Sequence, residues 1–358
     1  MKEHRLSTKT PRSSSVAIYF LLLIAAMFTL SSCAPASGPV ALSPLDDPNK
    51  IGHAPVQDEP KAPEGPANPL PPVPTEKPNL PALKICSELD FPETVIWPRS
   101  LSATDREALK LALNISGSYE GSTGWANLTN DFDGMGLSMG LLNQTLGTGS
   151  LQPMLIKAQT RFPEMLNRVM ARGNLDKLLK MLATWQEAAS GRNATSAKWA
   201  RKTLYTQNGG FTSSWRRDLT ALTTSSEYIT IQIESAVKNH KLALNLARAI
   251  SCTELRCYLL MYDFAVQNGG LYQEDLDEYD EYVEDHPQAS MTTRLKKLIE
   301  LRIRHVRDEY MNDVRARKTT IVNGQGKVHG EQRTLEKEFC FTRLTQYPQV
   351  PSTFATLD

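Results

Sequence analysis

The sequence has almost no net charge and few histidines and cysteines. Its 40 Lys and Arg against 39 Asp and Glu give a formal charge of +1, whereas a dedicated nucleic-acid binder carries a basic surplus. The six histidines show no ligand spacing relative to the five cysteines, so neither a metal site nor a cofactor is predicted. No strand precedes Gly134-x-Gly136 and no nucleophile elbow surrounds Ser138, which argues against nucleotide binding and serine-hydrolase chemistry.

The sequence also lacks an apolar run long enough to span a membrane. The run from Val16 to Leu30 has 15 residues, and a membrane-spanning helix needs about 20. Four basic residues precede this run and small residues follow it. A basic start, a short apolar segment and small residues before a cleavage point are typical of a secretory signal. We therefore predict a signal peptide over residues 1–32.

The residues from Leu30 to Cys33 resemble a bacterial lipobox, in which the cysteine becomes the lipid-modified first residue of the mature chain. This resemblance implies lipidation of Cys33 and a membrane partner reached through the lipid. It also implies a location in the bacterial cell envelope, at the outer membrane or the periplasmic face. The alternative is a plain signal peptide in which Cys33 is incidental.

Proline is concentrated in one part of the chain. Residues 34–83 hold 14 of the 22 prolines and almost no aromatic residue. Because each proline removes a backbone donor and restricts φ, this composition predicts an extended tether rather than a packed core. At about 3 Å per residue the tether would reach on the order of 150 Å. The sequence thus divides into a tether over residues 33–83 and a folded domain over residues 84–358.

Four cysteines remain once Cys33 is assigned to lipidation. An even number in an exported protein favours disulfide bonds, and four cysteines allow three pairings. Cys252 and Cys257 are five residues apart and can bond to each other. In that pairing Cys86 and Cys340 would join the two ends of the domain.

Helical periodicity recurs along the domain, whereas strand-like alternation is weak. Ser102 is a candidate N-cap for the segment that runs to Glu120, and the apolar spacing from Leu175 to Trp185 is typical of an amphipathic helix. We predict a mainly α-helical domain with a small β element. The further helices are predicted at residues 214–249, 254–266 and 292–317, and a short strand within 319–328.

Two carboxylic acids stand out in a glycine-rich part of the chain. Glu120 ends a helical pattern, and Asp133 lies thirteen residues later, directly before Gly134-Met-Gly136. Hydrolysis of a glycosidic bond commonly needs two carboxyl groups, one to protonate the leaving oxygen and one to activate water or attack. Asp131 could hydrogen-bond the loop or replace Asp133. The spacing alone is equally compatible with an ordinary turn and a solvated glutamate.

The residues around this pair resemble those of the family 46 chitosanases and their lysozyme-like relatives. The matching order is Glu120, then Asp131-Phe-Asp-Gly-Met-Gly-Leu-Ser-Met-Gly140, then Gly147-Thr-Gly149. A group of uncharacterised bacterial and phage proteins is more similar still, and the landmarks at 262–269 and 321–330 match the same group. The resemblance covers roughly residues 100–330, and its most specific part is the motif at 131–140.

The resemblance implies a lysozyme-like, two-lobed helical fold and specific roles for the acidic residues. Glu120 would be the general acid and Asp133 the general base of an inverting glycosidase. We also predict substrate contacts for Asp131, Trp125, Ser138 and Gln144. Asp263 and Gln267 lie one helical turn apart on the same face, which suits either support of a buried loop or hydrogen bonds to substrate, and we predict support.

These expectations combine into an envelope-tethered glycoside hydrolase with a polysaccharide substrate. Peptidoglycan is the preferred substrate because a lipid anchor would place the domain beside the cell wall, and chitosan-like polymers are second. The glutamate followed by Gly-Leu-Ser-x-Gly-Leu-Leu-x-Gln144 is also similar to lytic transglycosylases, which rely on a single glutamate. A third alternative is a glycan-binding or scaffold lipoprotein that keeps the fold without the chemistry.

Overall fold

The computed structural model describes residue 86 and residues 89–347. The predicted signal peptide and the whole of the predicted tether, Cys33 included, lie outside the described residues. None of the described helices has the length and apolar character of a membrane span.

The described residues form twelve α-helices and two small antiparallel sheets, which confirms the mainly helical prediction. In chain order the helices are α1 Ala103–Glu120, α2 Gln152–Arg161, α3 Pro163–Val169, α4 Arg172–Glu187, α5 Arg192–Thr203, α6 Ser213–Thr223, α7 Ser226–Ala249, α8 Leu255–Asn268, α9 Gln273–Asp285, α10 Met291–Ile303, α11 Asp308–Asn323 and α12 Leu335–Glu338.

The strands account for only a few residues. One sheet has the order β1 Leu128–Thr129, β2 Ser138–Met139 and β3 Gln144–Thr145, and the other pairs β4 Gln325–Val328 with β5 Glu331–Thr334. In the first sheet Thr129 pairs with Ser138, and Ser138 pairs with Thr145. Residues 130–137 are therefore the connection between two paired strands, and this connection holds Asp131 and Asp133.

Several element boundaries differ from the sequence prediction. The predicted segment 214–249 is two helices, because Ser225 caps the start of α7 by accepting from the Tyr228 amide. The segment 292–317 is likewise divided between α10 and α11. Within the predicted strand at 319–328, the first residues belong to α11, and Gly324 in the left-handed region ends that helix before β4 begins.

Local chemistry explains how α1 begins where it does. The Ser102 hydroxyl accepts from the Asp105 amide at 3.1 Å, and the Asp105 carboxylate accepts from the Ser102 amide at 3.3 Å. This reciprocal capping box satisfies two donors that a helix N-terminus would otherwise leave unpaired. The predicted N-cap is confirmed, and the helix that it starts runs to Glu120.

Two hydrophobic cores confirm the two-lobed prediction. The first core packs α1 against α8, α10 and α11, and the second packs Leu137 and Met139 against α2 to α6. The long helix α7 contributes to both, with Ile229 and Ile233 in the first core and Tyr228 and Ile231 in the second. We refer to the two bodies as the first lobe and the second lobe.

Both predicted disulfides are present in the structure. Cys86 bonds to Cys340 across 254 residues of sequence, and Cys252 bonds to Cys257. The segment after Cys340 accepts backbone hydrogen bonds from the start of α8, with the Leu255 amide donating to Thr345 at 2.8 Å. The end of the described chain is thereby attached to the first lobe.

Candidate active site

Glu120 is the last residue of α1, and Arg317 holds its side chain. Arg317 of α11 donates through Nη1 to Glu120 Oε1 at 2.8 Å, and the Glu120 side chain is 14% exposed. The Glu120 carboxyl group is therefore fixed at the C-terminal end of α1 and remains partly exposed to solvent.

Arg317 is itself fixed by a buried carboxylate. Asp263 of α8 is fully buried and accepts from Arg317 Nη2 at 2.6 Å, from Lys318 Nζ at 2.6 Å and from the Ser116 hydroxyl at 2.9 Å. Lys318 also donates to Gln267 Oε1 at 2.7 Å. Asp263 and Gln267 therefore hold the two basic side chains, one of which holds Glu120.

The charged groups of this network shift one another's pKa values. Burial alone would raise the pKa of Asp263, but the adjacent Arg317 and Lys318 charges lower it to about 2. Burial lowers the pKa of Lys318 to about 8, although the Asp263 carboxylate opposes this change. The buried charges of Asp263, Arg317 and Lys318 therefore compensate one another, and removal of one residue would leave the others without compensation.

Asp133 lies at the end of a short 3-10 turn, Asp131–Asp133, and is half-buried. Its Oδ1 accepts from the Met135 amide at 3.0 Å. Burial raises the pKa of Asp133 above its ordinary value of 3.8, the nearby Asp131 charge adds to the rise, and the Met135 hydrogen bond opposes it. A carboxylate with a raised pKa is a stronger base than a solvated one.

Asp131 holds the loop in shape. Its Oδ1 accepts from the Gly136 amide at 2.6 Å and from Arg201 Nη1 at 3.0 Å. Arg201, on α5, also donates to the Gly134 carbonyl at 3.2 Å, and the Tyr205 hydroxyl donates to the Gly136 carbonyl. The second lobe therefore positions the Asp133 loop, whereas the first lobe positions Glu120.

Gly136 allows this loop to lie directly on α5. Its φ is +82°, and a Cβ at this position would be 2.5 Å from the Ala197 Cα. Gly134 has a similar φ of +78°, but a Cβ there would meet nothing within 4 Å. A substitution at Gly134 therefore introduces backbone strain alone, whereas a substitution at Gly136 adds a steric collision with α5.

We expect Gly136→Ala to cost about 2 to 4 kcal/mol of unfolding free energy, because strain and overpacking add. Gly134→Ala should cost only about 1 kcal/mol, because strain acts alone. Urea unfolding followed by circular dichroism measures both. Equal losses in the two variants would show that α5 does not restrict the loop.

Of the other predicted substrate contacts, Trp125 and Ser138 are buried and Gln144 is half-buried. Trp125 is 6% exposed, donates from Nε1 to the Asp90 carbonyl at 2.6 Å and packs edge-on against Phe91. Its ring is part of the first core, so we leave it out of the proposed site. Ser138 is buried in β2, and the Gln144 side chain, in β3, is half-buried and donates to the Leu142 carbonyl at 3.4 Å.

Two asparagines connect the end of α1 to the sheet. Asn127 Nδ2 donates to the Glu120 carbonyl at 3.5 Å and to Asn143 Oδ1 at 3.4 Å, and the Thr129 hydroxyl donates to the same Asn143 oxygen at 3.2 Å. Asn143 adopts a φ of +52°, a conformation that asparagine tolerates better than most residues. The backbone of Glu120 is thus connected to β1, the strand from which the Asp133 loop departs.

Sequence reasoning missed Arg317, Lys318 and Arg201. All three lie in helices that carry other basic residues, and no motif separates them from their neighbours. Their function depends on a carboxylate that is distant in sequence, 54 residues away for Arg317 and Asp263 and 70 for Arg201 and Asp131.

No protein-family model matches the chain, and no curated protein sequence is similar to it. Solved structures of chitosanases are similar to part of it. A native chitosanase from Bacillus subtilis MY002 is 13% identical over 63% of this chain and 89% of that chain, with a TM-score of 0.42. A mutant of that chitosanase, complexed with 6 GlcN, covers 66% and 97% at 13% identity and a TM-score of 0.43. The Gynuella sunshinyii GH46 chitosanase with chitotetraose is 17% identical over 63% and 87%, with a TM-score of 0.38.

Proposed function

We propose that the protein is a glycoside hydrolase in which Glu120 is the general acid and Asp133 the general base. The observation that supports the proposal is that different lobes hold the two carboxyl groups in place. A buried ion network in the first lobe holds Glu120, and the second lobe holds the loop of Asp133, whose pKa burial raises. The resemblance of Glu120 and of the motif at 131–140 to the family 46 chitosanases implies the same roles for these two residues.

The hydrogen bonds of the two residues suggest which oxygens react. Glu120 uses Oε1 to accept from Arg317, so we assign the transferred proton to Oε2. Asp133 uses Oδ1 to accept from Met135, so we assign proton abstraction from the attacking water to Oδ2. Glu120 protonates the glycosidic oxygen while this water attacks the opposite face of the sugar, which inverts the anomeric configuration. Inversion requires the carboxyl groups to be about 6.5–9.5 Å apart.

The proposed substrate is peptidoglycan, and chitosan-like polymers are the second choice. The support is the sequence prediction of a lipid anchor at Cys33 and a proline-rich tether over residues 33–83, which would hold the domain at the cell envelope within reach of the wall. Both features lie outside the described residues and remain predictions, as does the location in the envelope.

Digestion of purified peptidoglycan sacculi tests the proposal, with identification of the soluble products by mass spectrometry. We expect muropeptides with free reducing ends. Products that end in 1,6-anhydro sugars would instead assign the lytic transglycosylase reaction, with Glu120 acting alone. Binding to sacculi without any released product would favour the non-catalytic alternative, and release from chitosan alone would replace the proposed substrate.

The pH dependence of kcat/KM should report on Asp133. Because the base acts in its ionised form, kcat/KM should fall as the pH drops through the pKa of Asp133, which lies above 3.8. The slope of this acid limb should correspond to the uptake of one proton. Asp131→Asn removes a negative neighbour while keeping an oxygen that can accept from Gly136, so the acid limb should move to lower pH. Rates between about pH 3 and pH 8 measure both profiles. An acid limb that is unchanged in the variant would contradict the assignment of that limb to Asp133.

A further inference from the structure

The second lobe has a charge very different from that of the whole chain. Residues 152–223, which span α2 to α6, contain twelve Lys and Arg against four Asp and Glu, a net charge of +8, whereas the entire chain has +1. Residues 224–347 contain 17 basic and 19 acidic residues, a net charge of −2. The basic charge is therefore a property of one lobe.

Helix α5 concentrates this charge beside the proposed base. It contains four basic residues and no acidic residue. Arg201 reaches the loop by contacting Asp131 and Gly134, and Ala197 lies against Gly136. Lys198 lies one helical turn before Arg201, and Lys202 one turn after Lys198, so the three side chains share a side of the helix.

Lys198 and Lys202 are exposed, and neither has a salt bridge among the described residues. The anions on the neighbouring helix α4 are Asp176, which pairs with Arg172, and Glu187. Arg201 neutralises Asp131 at 3.0 Å. The two lysines are therefore exposed positive charges, without a salt bridge among the described residues, on the helix that packs against the loop of Asp133. We call Lys198 and Lys202 the lysine pair.

The positive charge of the lysine pair should distinguish the two proposed substrates, peptidoglycan and chitosan-like polymers. A chitosan chain carries protonated amines and would be repelled by the lysine pair. A peptidoglycan strand carries carboxylates on its peptide side chains and would be attracted. Exposed charge interactions of this kind are screened by salt and act within about 10 Å at 0.1 M ionic strength.

We propose that the lysine pair binds carboxylates of the glycan substrate and selects an anionic polymer for the site. This inference rests on the proposed function, since it concerns the substrate of the same site. It assigns to the basic second lobe the recognition of peptide carboxylates, while the sugar backbone occupies the region between Glu120 and Asp133.

Binding is measured with the full-length protein carrying Glu120→Gln, so that the polymer is not consumed. The polymers are native sacculi and sacculi whose carboxylates have been amidated with carbodiimide and glycinamide, which neutralises charge and keeps the sugars and peptides intact. The Lys198→Ala/Lys202→Ala variant should bind native sacculi about 3- to 10-fold more weakly, and should lose the preference for native over amidated sacculi. The difference should shrink as salt is raised from about 50 to 300 mM.

Lys177→Ala/Lys180→Ala is the matched control, because it removes two exposed lysines from α4, a different helix of the same lobe. It should retain the preference for native sacculi. Equal binding of native and amidated sacculi, or an equal loss in the control, would overturn the inference. Tighter binding of chitosan than of native sacculi would overturn it as well. Turnover of sacculi by the protein with Glu120 intact is a separate readout, and its absence would refute the proposed function instead.

Discussion

Replacing Glu120 with Gln should lower kcat by about three orders of magnitude and leave the fold unchanged. A positioned general acid contributes about 10²- to 10⁴-fold to rate, and an amide cannot donate the proton that the leaving oxygen needs. Gln keeps an oxygen at the position that accepts from Arg317, so the contact between α1 and α11 is retained. Release of muropeptides from sacculi measures the rate, and circular dichroism measures the fold.

Glu107→Gln is a suitable control for this experiment. Glu107 lies on the same helix and pairs with Lys110 three residues later, on the surface. We expect full activity from that variant, since exposed pairs of this type contribute little to stability. Undiminished release by the Glu120 variant would refute its assignment as the acid and would leave binding or scaffolding as the better interpretation.

The role of Asp133 separates the two catalytic alternatives. If the reaction is an inverting hydrolysis, Asp133→Asn should lose activity to a similar extent, because the water loses its base. If Glu120 acts alone, as in a lytic transglycosylase, the same variant should retain turnover. The stability of the Asp133→Asn variant at neutral pH should not fall below that of the unmodified protein. A carboxyl group whose pKa is raised in the folded state stabilises the fold only at low pH, below its unfolded pKa.

Replacing Asp263 with Asn should destabilise the protein by about 3 to 5 kcal/mol. Removing one partner of a buried ion network leaves the remaining charges without compensation. Arg317 and Lys318 are both buried and both contact this carboxylate. Without it, Lys318 would lose the partner that opposes the effect of burial on its pKa, and Arg317 would lose the contact that directs it towards Glu120. Urea unfolding at pH 7 measures the loss.

The same residue predicts how stability depends on pH. The folded pKa of Asp263 is about 2 against an ordinary value of 3.8. Because the pKa is depressed, its contribution of about 2 kcal/mol is present above pH 3.8 and is lost as the pH falls towards 2. The Asn variant should lack this contribution. Asp280→Asn, at an exposed position of α9, should change stability by less than about 0.5 kcal/mol. An equal loss in both variants would contradict the proposed network.

The sequence predicted the support role of Asp263 and Gln267 without identifying what they support. Their spacing of one helical turn showed that they share a face of α8. The residues that they bind, Arg317 and Lys318, lie in a helix with equal numbers of basic and acidic side chains, and no local pattern marks them. A buried ion pair between distant segments leaves no periodic signal in either segment.

Trp125 illustrates the opposite case. Its position between the two acidic residues predicted a contact with substrate, although tryptophans of this kind are more often part of the core. The structure places the ring against Phe91 and directs its N–H to Asp90, both near the start of the described domain. Contacts with that earlier segment bury the ring, and nothing in the residues around Trp125 predicts them.

The helical class of the domain, the capping of α1 by Ser102 and the loop that carries Asp131 and Asp133 were all predictable from the amino-acid sequence. These features depend on residues close together in the chain, whose periodicity, capping chemistry and glycine content are visible locally. The contacts by which Arg317 holds Glu120 and Arg201 holds Asp131 could not be predicted in this way. These relations join segments 70 to 197 residues apart, and packing of the two cores rather than local propensity brings such segments together.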